Sequence, residues 1–327
     1  MRKKTLGRTG MNLPIVGLGA ANLGLPSQAS AWDQHVDNPD HLSYADFPTG
    51  MDTVISAVEN GVQLIDTAPK YLYGDSERII AQVFRVRPDL REKTSVTTKV
   101  GLVCAGDGFD YSYEAAMKSI VGSVSRLEVF GHFPTLYLHD PMGFDMKFVM
   151  SDRGVMGALR KLQRDGVVSF IGIAADEPEV AADYINTGEF DVATVSGAWI
   201  LVNQKVLQRI IPAAKRHDVG LVATTVIERG LLVKGEVIPG VKYVQRDFTP
   251  ELLAHVAKLS ALCREFEVSL LSVALQWAVR NEQIAVVIPG ARNPEEARMN
   301  ALAGSEKIPD EFWEKLEPLI RHFDTRV

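Results

Sequence analysis

The sequence has few cysteines, no long hydrophobic run and no excess of basic residues. Only two cysteines occur, Cys104 and Cys263, and they lie far apart in no spacing that metal ligands use. We therefore expect no disulfide framework and a reducing compartment. No apolar run approaches the ~18 residues of a membrane span. The net charge of −6, without a basic block, argues against nucleic acid or an anionic membrane as a partner.

The N-terminus is also unlike that of an exported protein. Its basic residues at 2–4 are followed by polar residues and glycines rather than by an apolar stretch, so we predict no signal peptide. A hydrophobic content of 46% and a charged content of 23% are typical of a soluble globular protein with a large core. Together these features predict a cytoplasmic location.

Most of the chain alternates between short apolar runs and patterns with helical spacing. The predicted strands are 15–19, 62–65, 95–99, 136–139, 169–173, 192–195, 219–225 and 284–288. The predicted helices are 51–58, 77–84, 113–127, 155–164, 177–185, 204–216, 250–266, 270–279, 294–302 and 310–322. Strands that are each followed by a helix predict a parallel sheet. Eight such units in roughly 300 residues predict a closed barrel.

The predicted fold class is α/β, a (β/α)8 TIM barrel with an N-terminal β-hairpin at 4–13 and extra C-terminal helices. The strands are rich in Val, Ile and Leu, as strands covered on both faces should be. No linker or shift in composition divides the chain, so we expect residues 1–327 to form one domain.

A segment at 22–49 has no periodic pattern, and a loop of this length in a compact chain is usually functional or mobile. Its aromatic residues and histidine are Trp32, His35, Tyr44 and Phe47. They suit either a flap over a pocket or anchors to the body of the protein. With residues 227–248, this segment is expected to determine which substrate fits.

In a closed barrel, the residues that follow the strands converge on one rim. Here they are Gly19-Ala20, Asp66, Lys99, His139, Asp176, Trp199, Thr224-Thr225 and Pro289-Gly290. Asp66, Lys99 and His139 end three consecutive strands, and Tyr71 follows Asp66 closely. Each alone suits an ordinary turn or solvated strand end, but their joint placement favours a site that transfers protons. A free phenol titrates near ~10; a neighbouring ammonium lowers its pKa, while a carboxylate keeps the lysine charged.

The residues around Asp66 also carry a resemblance to a known family. The motif Asp-Thr-Ala-x-x-Tyr, at 66–71, is followed by Gly-x-Ser-Glu at 74–77, and this signature resembles that of the aldo-keto reductase superfamily. The strand ends Thr98-Lys99 and Leu138-His139 match the same family. The resemblance extends from the hairpin to the end of the chain. It implies a barrel that interconverts carbonyls and alcohols with a nicotinamide cofactor and without a metal.

The resemblance also implies a role for each matched residue. Tyr71 would donate or accept the proton, Lys99 would tune the pKa of that phenol, and Asp66 would pair with Lys99. His139 would hydrogen-bond and orient the carbonyl oxygen. Tyr73 is a second candidate phenol, but the spacing of Tyr71 from Asp66 fits the superfamily.

Further residues resemble the sugar 1-dehydrogenase branch of this superfamily. They are the second tyrosine of the motif, His139-Asp140-Pro141 and the segment 289–296. That branch, which includes D-threo-aldose, L-fucose and L-galactose dehydrogenases, oxidises the anomeric carbon of a pyranose to a lactone. Leu72 departs from the branch, which usually has Gly there. A pyridoxal dehydrogenase is similar as well, so the alternative is a general aldehyde or pyridoxal oxidoreductase.

The expected cofactor is NAD or NADP. The superfamily binds the carboxamide with a Ser-Asn pair after the fifth strand and a Gln after the sixth, where this chain has Asp176 and Trp199. Asp176 accepts from an amide but cannot donate. The nicotinamide ring would contact Trp199 or Val226, although Trp199 suits the core equally well. Gly19 and Thr225 are the other candidates on the rim.

The segment after the last strand bears on the choice of nucleotide. NADP-preferring relatives grip the 2′-phosphate with a Lys and an Arg, and this chain has Gly290 and Glu296 at those positions. A carboxylate repels a phosphate but can hydrogen-bond ribose hydroxyls, whereas Arg292 and Arg298 lie nearby in sequence. We therefore expect that NAD is preferred or that both nucleotides are used. Asn300 matches a position that contacts adenine in relatives.

Two other classes of function are weighed against an oxidoreductase of sugars or small aldehydes. One is a nicotinamide-binding regulatory subunit without catalytic activity, which the complete set of four site residues disfavours. The other is a metal-dependent hydrolase, which is disfavoured because no His-x-His follows the first strand.

Overall fold

The chain forms a ring of parallel strands whose amino end is closed by a β-hairpin. The computed structural model describes residues 1–26, 44–101, 110–128, 132–237 and 248–324. The hairpin strands are β1 (Lys3–Thr5) and β2 (Asn12–Pro14), which pair antiparallel. The barrel strands are β3 (Leu18–Gly19), β4 (Leu64–Asp66), β5 (Ser95–Val100), β6 (Phe133–His139), β7 (Val168–Ala174), β8 (Val192–Ser196), β9 (Gly220–Thr224) and β10 (Ile284–Ile288).

The eight barrel strands lie in sequence order, each parallel to its neighbour. The first and last strands meet through two parallel bridges, Val16 with Val287 and Gly19 with Gly290. The backbone N–H of Gly17 also donates to the Val287 carbonyl at 2.8 Å. The predicted (β/α)8 barrel is therefore confirmed, with closure through bridges rather than a long strand pair.

The helices surround the barrel. They are α1 (Phe47–Glu59), α2 (Asp75–Val86), α3 (Pro88–Arg91), α4 (Tyr113–Leu127), α5 (Met146–Val149), α6 (Val155–Arg164), α7 (Pro178–Ile185), α8 (Ile210–His217), α9 (Leu231–Lys234), α10 (Pro250–Glu265), α11 (Leu270–Ala278), α12 (Pro294–Ala303) and α13 (Asp310–Leu316). Several start at a side-chain cap, such as Asp46, which accepts from the Thr49 N–H at 3.0 Å. No helix among the described residues has the length and apolar character needed to cross a membrane.

Alternation along the strands separates two apolar cores. The outer core lies between the strands and the helices. The inner core fills the barrel and includes Leu6 and Leu13 of the hairpin with Leu64, Tyr137, Val192, Val222, Val286 and Ile288. Because side chains alternate across a strand, Asp66 shares the inward face of Leu64, and His139 that of Tyr137. The same alternation places polar side chains above the inner core at its carboxyl end.

Tyr137 occupies the inner core because its neighbour is a glycine. A Cβ at Gly172 would lie 2.3 Å from Cδ1 of the Tyr137 ring, which is closer than any side chain allows. The tyrosine is 2% exposed, and it pairs in register with Lys99 of β5. An aromatic ring thus fills the barrel next to the strand that carries Lys99.

Several predicted boundaries are wrong, each for a local reason. The loop predicted at 22–49 ends earlier, because Asp46 and Pro48 start helix α1 at Phe47. The first barrel strand is only Leu18–Gly19. The helix predicted at 204–216 is a short 3-10 turn followed by α8, and the last helix ends at Leu316, since a proline follows at 318.

The aromatic residues of the loop at 22–49 have different surroundings. Phe47 packs against the outer core as an anchor, whereas the side chain of Tyr44 is 60% exposed. Trp32 and His35 lie outside the described residues. In the second segment expected to determine substrate choice, at 227–248, a 3-10 turn at Glu228–Gly230 leads into α9, and residues 238–247 lie outside the described part.

Candidate active site

An ion pair between strands β4 and β5 forms the base of the site. Lys99 is 3% exposed, and its Nζ lies 2.5 Å from Oδ2 of Asp66 and donates to the Thr67 carbonyl at 2.9 Å. The other oxygen of Asp66 accepts from the Thr97 hydroxyl at 2.9 Å. Burial lowers the pKa of Lys99, but the charges of Asp66 and Tyr71 outweigh it, so the pKa lies above its usual value. The lysine is therefore a buried, charged ammonium at neutral pH.

Tyr71 lies against this ammonium. The Lys99 Nζ lies 4.6 Å from the centre of the Tyr71 ring, close enough for the charge of the ammonium to act on the phenol. Burial raises the pKa of Tyr71 to about 12, although Lys99 acts in the opposite direction. The expected lowering by lysine is thus present, but the expectation of a lowered pKa overall is wrong, because desolvation of the phenolate is the larger effect.

A strained turn holds Tyr71 in place. Leu72 and Tyr73 both have φ of 52°, and Gly74 has φ of 87°. Left-handed backbone is unfavourable for leucine and tyrosine, and it persists where the surroundings over-determine it. Leu72, which stands where glycine was expected, is only 1% exposed, so its packing compensates for the strained backbone.

The start of helix α2 anchors this turn to the barrel. The Ser76 hydroxyl donates to the Ala20 carbonyl and shares a hydrogen bond with Thr67, both at 2.7 Å. The fully buried Glu77 accepts from the Thr98 hydroxyl at 2.7 Å and from Arg126 Nε at 2.6 Å. Because Thr98 precedes Lys99, this network couples the turn that carries Tyr71 to the strand that carries the lysine.

His139 completes the group of four. Its ring lies edge-on to that of Tyr71, with the ring centres 6.0 Å apart. Burial, followed by the charges of Lys99 and Lys70, lowers the pKa of His139 well below its usual value. The imidazole is therefore neutral at pH 7 and donates from one ring nitrogen only. A phenol, an ammonium and a neutral imidazole together can exchange a proton with a bound oxygen and orient it.

The sequence did not single out the carboxylate beside this histidine as a site residue. Oδ2 of Asp140 lies 3.5 Å from His139 Nε2. The only signal was the His-Asp-Pro sequence, which also suits a plain turn. Tyr111, which donates to the carbonyls of both residues, lies far from them in sequence and gave no signal.

The candidate nicotinamide contacts after β7 to β9 differ in accessibility. Asp176 is exposed, and the Thr225 hydroxyl lies 3.3 Å from the Ser196 hydroxyl at the rim. Trp199 is 8% exposed; it stacks on Trp277 with ring centres 4.5 Å apart and donates its indole N–H to a backbone carbonyl. Val226 is 1% exposed, so packing within the protein occupies most of both apolar side chains.

The candidate cofactor-binding residues after β10, together with Gly19, form a second group. Gly19 and Gly290 pair at the point where the barrel closes, and Asn300 donates to the Gly290 carbonyl at 3.1 Å. The side chains of Arg292 and Glu296 form an ion pair at 3.1 Å. The backbone N–H of Arg292 also donates to the Glu296 carboxylate at 2.9 Å.

This donor set fits a nicotinamide dinucleotide. Asp176 and Thr225 supply an acceptor and a hydroxyl at the rim for a carboxamide. The N-terminus of α12 supplies positive electrostatic potential for phosphate, whereas the charge of Arg292 is paired with Glu296. Among the described residues, a Cβ at Gly290 would meet only Asn22 and Gly19 within 4 Å, so this part of the structure leaves room for a ligand to approach the backbone closely.

Comparison with known proteins points in the same direction. A match to the aldo/keto reductase family covers residues 22–321. A solved aldo-keto reductase from Bacillus halodurans, in its holo form, has a TM-score of 0.76 and 20% sequence identity, and the match covers 98% of this chain and 96% of that one. At this identity the likeness shows the fold.

Three curated relatives match over nearly the whole chain. The pyridoxal 4-dehydrogenase of Microbacterium luteolum is 28% identical, covering 96% of each protein. The D-threo-aldose 1-dehydrogenase of a Pseudomonas species is 25% identical, covering 94% of each. The NADH-specific methylglyoxal reductase of Escherichia coli K12 is 24% identical, covering 95% of each. Relatives of this chain thus act on a sugar, a pyridoxal and a small dicarbonyl compound.

Proposed function

Because this chain belongs to the aldo/keto reductase family and is an NAD(P)-dependent oxidoreductase, we propose that it oxidises the anomeric carbon of an aldose to a lactone, with NAD preferred to NADP. One observation supports the proposal most. The side chains of Asp66, Tyr71, Lys99 and His139 meet at the carboxyl end of the barrel, with a charged lysine against a phenol.

We assign the proton transfer to Tyr71. In the oxidative direction its phenolate accepts the proton of the anomeric hydroxyl, and in the reductive direction its phenol donates a proton to the carbonyl oxygen. With a pKa of about 12, the phenol is ready to donate at neutral pH. Oxidation requires the phenolate, which the Lys99 ammonium favours, so the oxidative rate is expected to rise with pH.

The other residues orient and support this step. We assign to neutral His139 a hydrogen bond to the same substrate oxygen, which fixes that oxygen close to Tyr71. Asp66 holds the ammonium of Lys99 in place and keeps it charged. The nicotinamide ring supplies the hydride chemistry when it is bound. Asp176 and Thr225 would hold its carboxamide at the rim.

The preference for NAD is supported by the residues after β10. Glu296 presents a carboxylate where a 2′-phosphate would need positive charge, and Arg292 is already paired with it. A phosphate would have to break this ion pair and approach the carboxylate. That the relative in E. coli is described as NADH-specific agrees with this expectation.

The proposal is tested by following the reduction of NAD and NADP with a panel of aldoses and with pyridoxal, and the oxidation of NADH and NADPH with methylglyoxal. We expect turnover with an aldose and NAD, and a lactone identified by mass spectrometry as the product. Turnover confined to pyridoxal or methylglyoxal would replace the sugar with that substrate class. Binding of both nucleotides without any turnover would favour the regulatory alternative, and a Kd for NADP clearly below that for NAD would overturn the nucleotide preference.

A further inference from the structure

The carboxylate of Asp140 lies in the site, but none of the roles described above uses it. Asp140 follows β6 directly, and its side chain is 22% exposed. One carboxylate oxygen accepts from the backbone N–H of Asp176 at 3.1 Å. The other lies 3.5 Å from Nε2 of His139. The carboxylate therefore connects the ends of two strands and faces the imidazole.

The surrounding structure holds Asp140 in an unfavourable backbone conformation. Its φ is 44°, in the left-handed region that few residues other than glycine adopt. The Tyr111 hydroxyl lies 2.6 Å from the carbonyl of His139 and 2.5 Å from that of Asp140, and it clamps both. Strain that is over-determined in this way is concentrated at functional sites.

The protonation state of this carboxyl bears on the tautomer of His139. The neutral imidazole carries one proton, on Nδ1 or on Nε2. An ionised carboxylate only accepts, so it favours the tautomer with the proton on Nε2. A protonated carboxyl donates, and it then favours the tautomer with a bare Nε2. The present separation is longer than a good hydrogen bond, so the charge of the carboxylate biases the proton towards Nε2 while leaving that N–H able to donate to a bound oxygen.

Building on the proposed function, we propose that Asp140 is a positioning residue for His139. Its carboxylate holds the imidazole in the Nε2–H tautomer, which can donate to a substrate oxygen, and protonation of the carboxylate removes that donor. Asp140 acts through the histidine and does not itself touch the reacting atoms.

The charges around Asp140 bring this change close to neutral pH. The titratable groups that face it are Tyr71, Lys70, Lys99, Tyr111, His139 and Asp176. Burial, followed by the charge of Asp176, raises the pKa of Asp140 to about 7, while Lys70 and Lys99 oppose the rise. The donor tautomer is therefore favoured above this pH and is lost as the pH falls through it.

The direct test is NMR of the imidazole nitrogens in the full chain, with isotopic nitrogen in the seven histidines and His139→Asn to identify the signals. We expect the Nε2–H tautomer at about pH 8 and its loss by about pH 6. Asp140→Asn should abolish this pH-dependent change of tautomer. Because asparagine tolerates left-handed backbone well, the variant should fold. Thermal unfolding verifies that it does.

Two matched variants test whether neighbouring charges set the pH at which the tautomer of His139 changes. Asp176→Asn removes the charge that raises the pKa of Asp140, so the midpoint should move to lower pH. Lys70→Met removes an opposing charge, so the midpoint should move to higher pH. A purely structural role for Asp140 would produce neither shift. Histidine signals that do not change with pH, or a step that survives in folded Asp140→Asn, would overturn the proposal.

A second readout is the pH profile of kcat/KM with methylglyoxal and NADH. The wild-type profile should lose activity as the pH falls through about 7, and folded Asp140→Asn should lack that inflection. A profile that is the same in both proteins would contradict the proposal. The NMR test needs no turnover, so failure of the chain to oxidise any aldose would overturn the proposed function without deciding the role of Asp140.

Discussion

The two ends of the barrel each hold a lysine with several polar partners, one buried and one partly buried, and the two lysines are bound in opposite ways. At the carboxyl end, Lys99 pairs with the carboxylate of Asp66 at 2.5 Å, and its pKa is raised despite burial. At the amino end, Lys4 donates to three backbone carbonyls of the segment 279–284, at 2.6 to 2.9 Å. Burial and then Arg2 lower the pKa of Lys4 to about 8.

The difference shows that the partners of a lysine, rather than its degree of burial, indicate what it does. All three N–H groups of Lys4 are used on carbonyls after α11, so this ammonium caps the end of a helix and fixes the hairpin to the barrel. Lys99 keeps its charge next to a phenol that can ionise. An ammonium with a carboxylate on one side and a titratable group on the other is typical of a functional site.

One substitution at each end of the barrel should separate catalysis from stability. Tyr71→Phe removes the proton carrier, so we expect kcat to fall by about 10²–10⁴-fold with little change in stability or in nucleotide binding. Leu13→Ala, in the inner core at the amino end, should do the reverse and lower the free energy of unfolding by ~2–5 kcal/mol. Steady-state kinetics and urea denaturation measure both effects. Activity that survives Tyr71→Phe but is lost in Tyr73→Phe would mean that the other phenol carries the proton.

The lysines can also be compared directly. Lys99→Met leaves the carboxylate of Asp66 buried without its partner, so we expect a loss of roughly 3–5 kcal/mol in the free energy of unfolding and loss of turnover. Lys4→Met leaves only partly buried carbonyls, which should cost ~1–3 kcal/mol and spare turnover at a temperature where the variant is folded. Equal losses of turnover in the two variants, both folded, would contradict the division between the ends.

The dependence of stability on pH offers a third comparison. The folded pKa of Asp140 is raised to about 7 from 3.8, so between these values the folded state binds more protons than the unfolded state. The free energy of unfolding therefore falls as the pH rises through this window. Asp140→Asn cannot lose stability in this way. The difference in free energy of unfolding between the variant and the wild type should therefore shift in favour of the variant by about 2 kcal/mol from about pH 5 to about pH 8, after allowance for partial exposure.

Asp218 provides the matched control for this prediction. It is exposed and lies at the amino end, with a left-handed backbone of φ 51° like that of Asp140. Asp218→Asn should show no comparable change between the two pH values in chemical denaturation. A similar improvement in both variants would mean that the backbone conformation, rather than the buried carboxyl, is responsible.

The smallest expected effect concerns the choice of nucleotide. Glu296→Gln removes the carboxylate and releases Arg292, so we expect the Kd for NADP to fall about tenfold with little change for NAD. Glu295→Gln, on the same helix, is the control, because Glu295 pairs instead with Arg298 at 2.7 Å on an exposed face. Fluorescence titration of each nucleotide measures the ratio, and an equal change in both variants would point to a general effect of charge.

The barrel could be predicted from the sequence because its signals are local. Apolar runs rich in Val, Ile and Leu, each followed by a helical pattern, specify strand and helix without knowledge of neighbours, and the ends of β4 to β6 follow from them. Strand 15–19 was predicted too long, because only two of its residues lie in a regular ladder, and the closure with β10 depends on isolated bridges. Pairing of this kind depends on how all eight strands of the barrel are arranged, which no local pattern specifies.

The chemistry of the candidate site was less accessible to prediction, because it depends on tertiary surroundings. The placement of Lys99 next to Tyr71 followed from barrel geometry and the family resemblance. The raised pKa of Tyr71 did not, since desolvation depends on what covers the ring. The left-handed turn at Leu72 and the orientation of Asp140 towards His139 likewise depend on contacts with other strands and helices.

The filled interior of the barrel has a consequence for solvent access to Lys99. Because the ring of Tyr137 and its neighbours in the inner core occupy the space between the strands, we expect water and protons to exchange with the Lys99 ammonium from the carboxyl end. A molecule bound at that end would then shield the ammonium from bulk solvent.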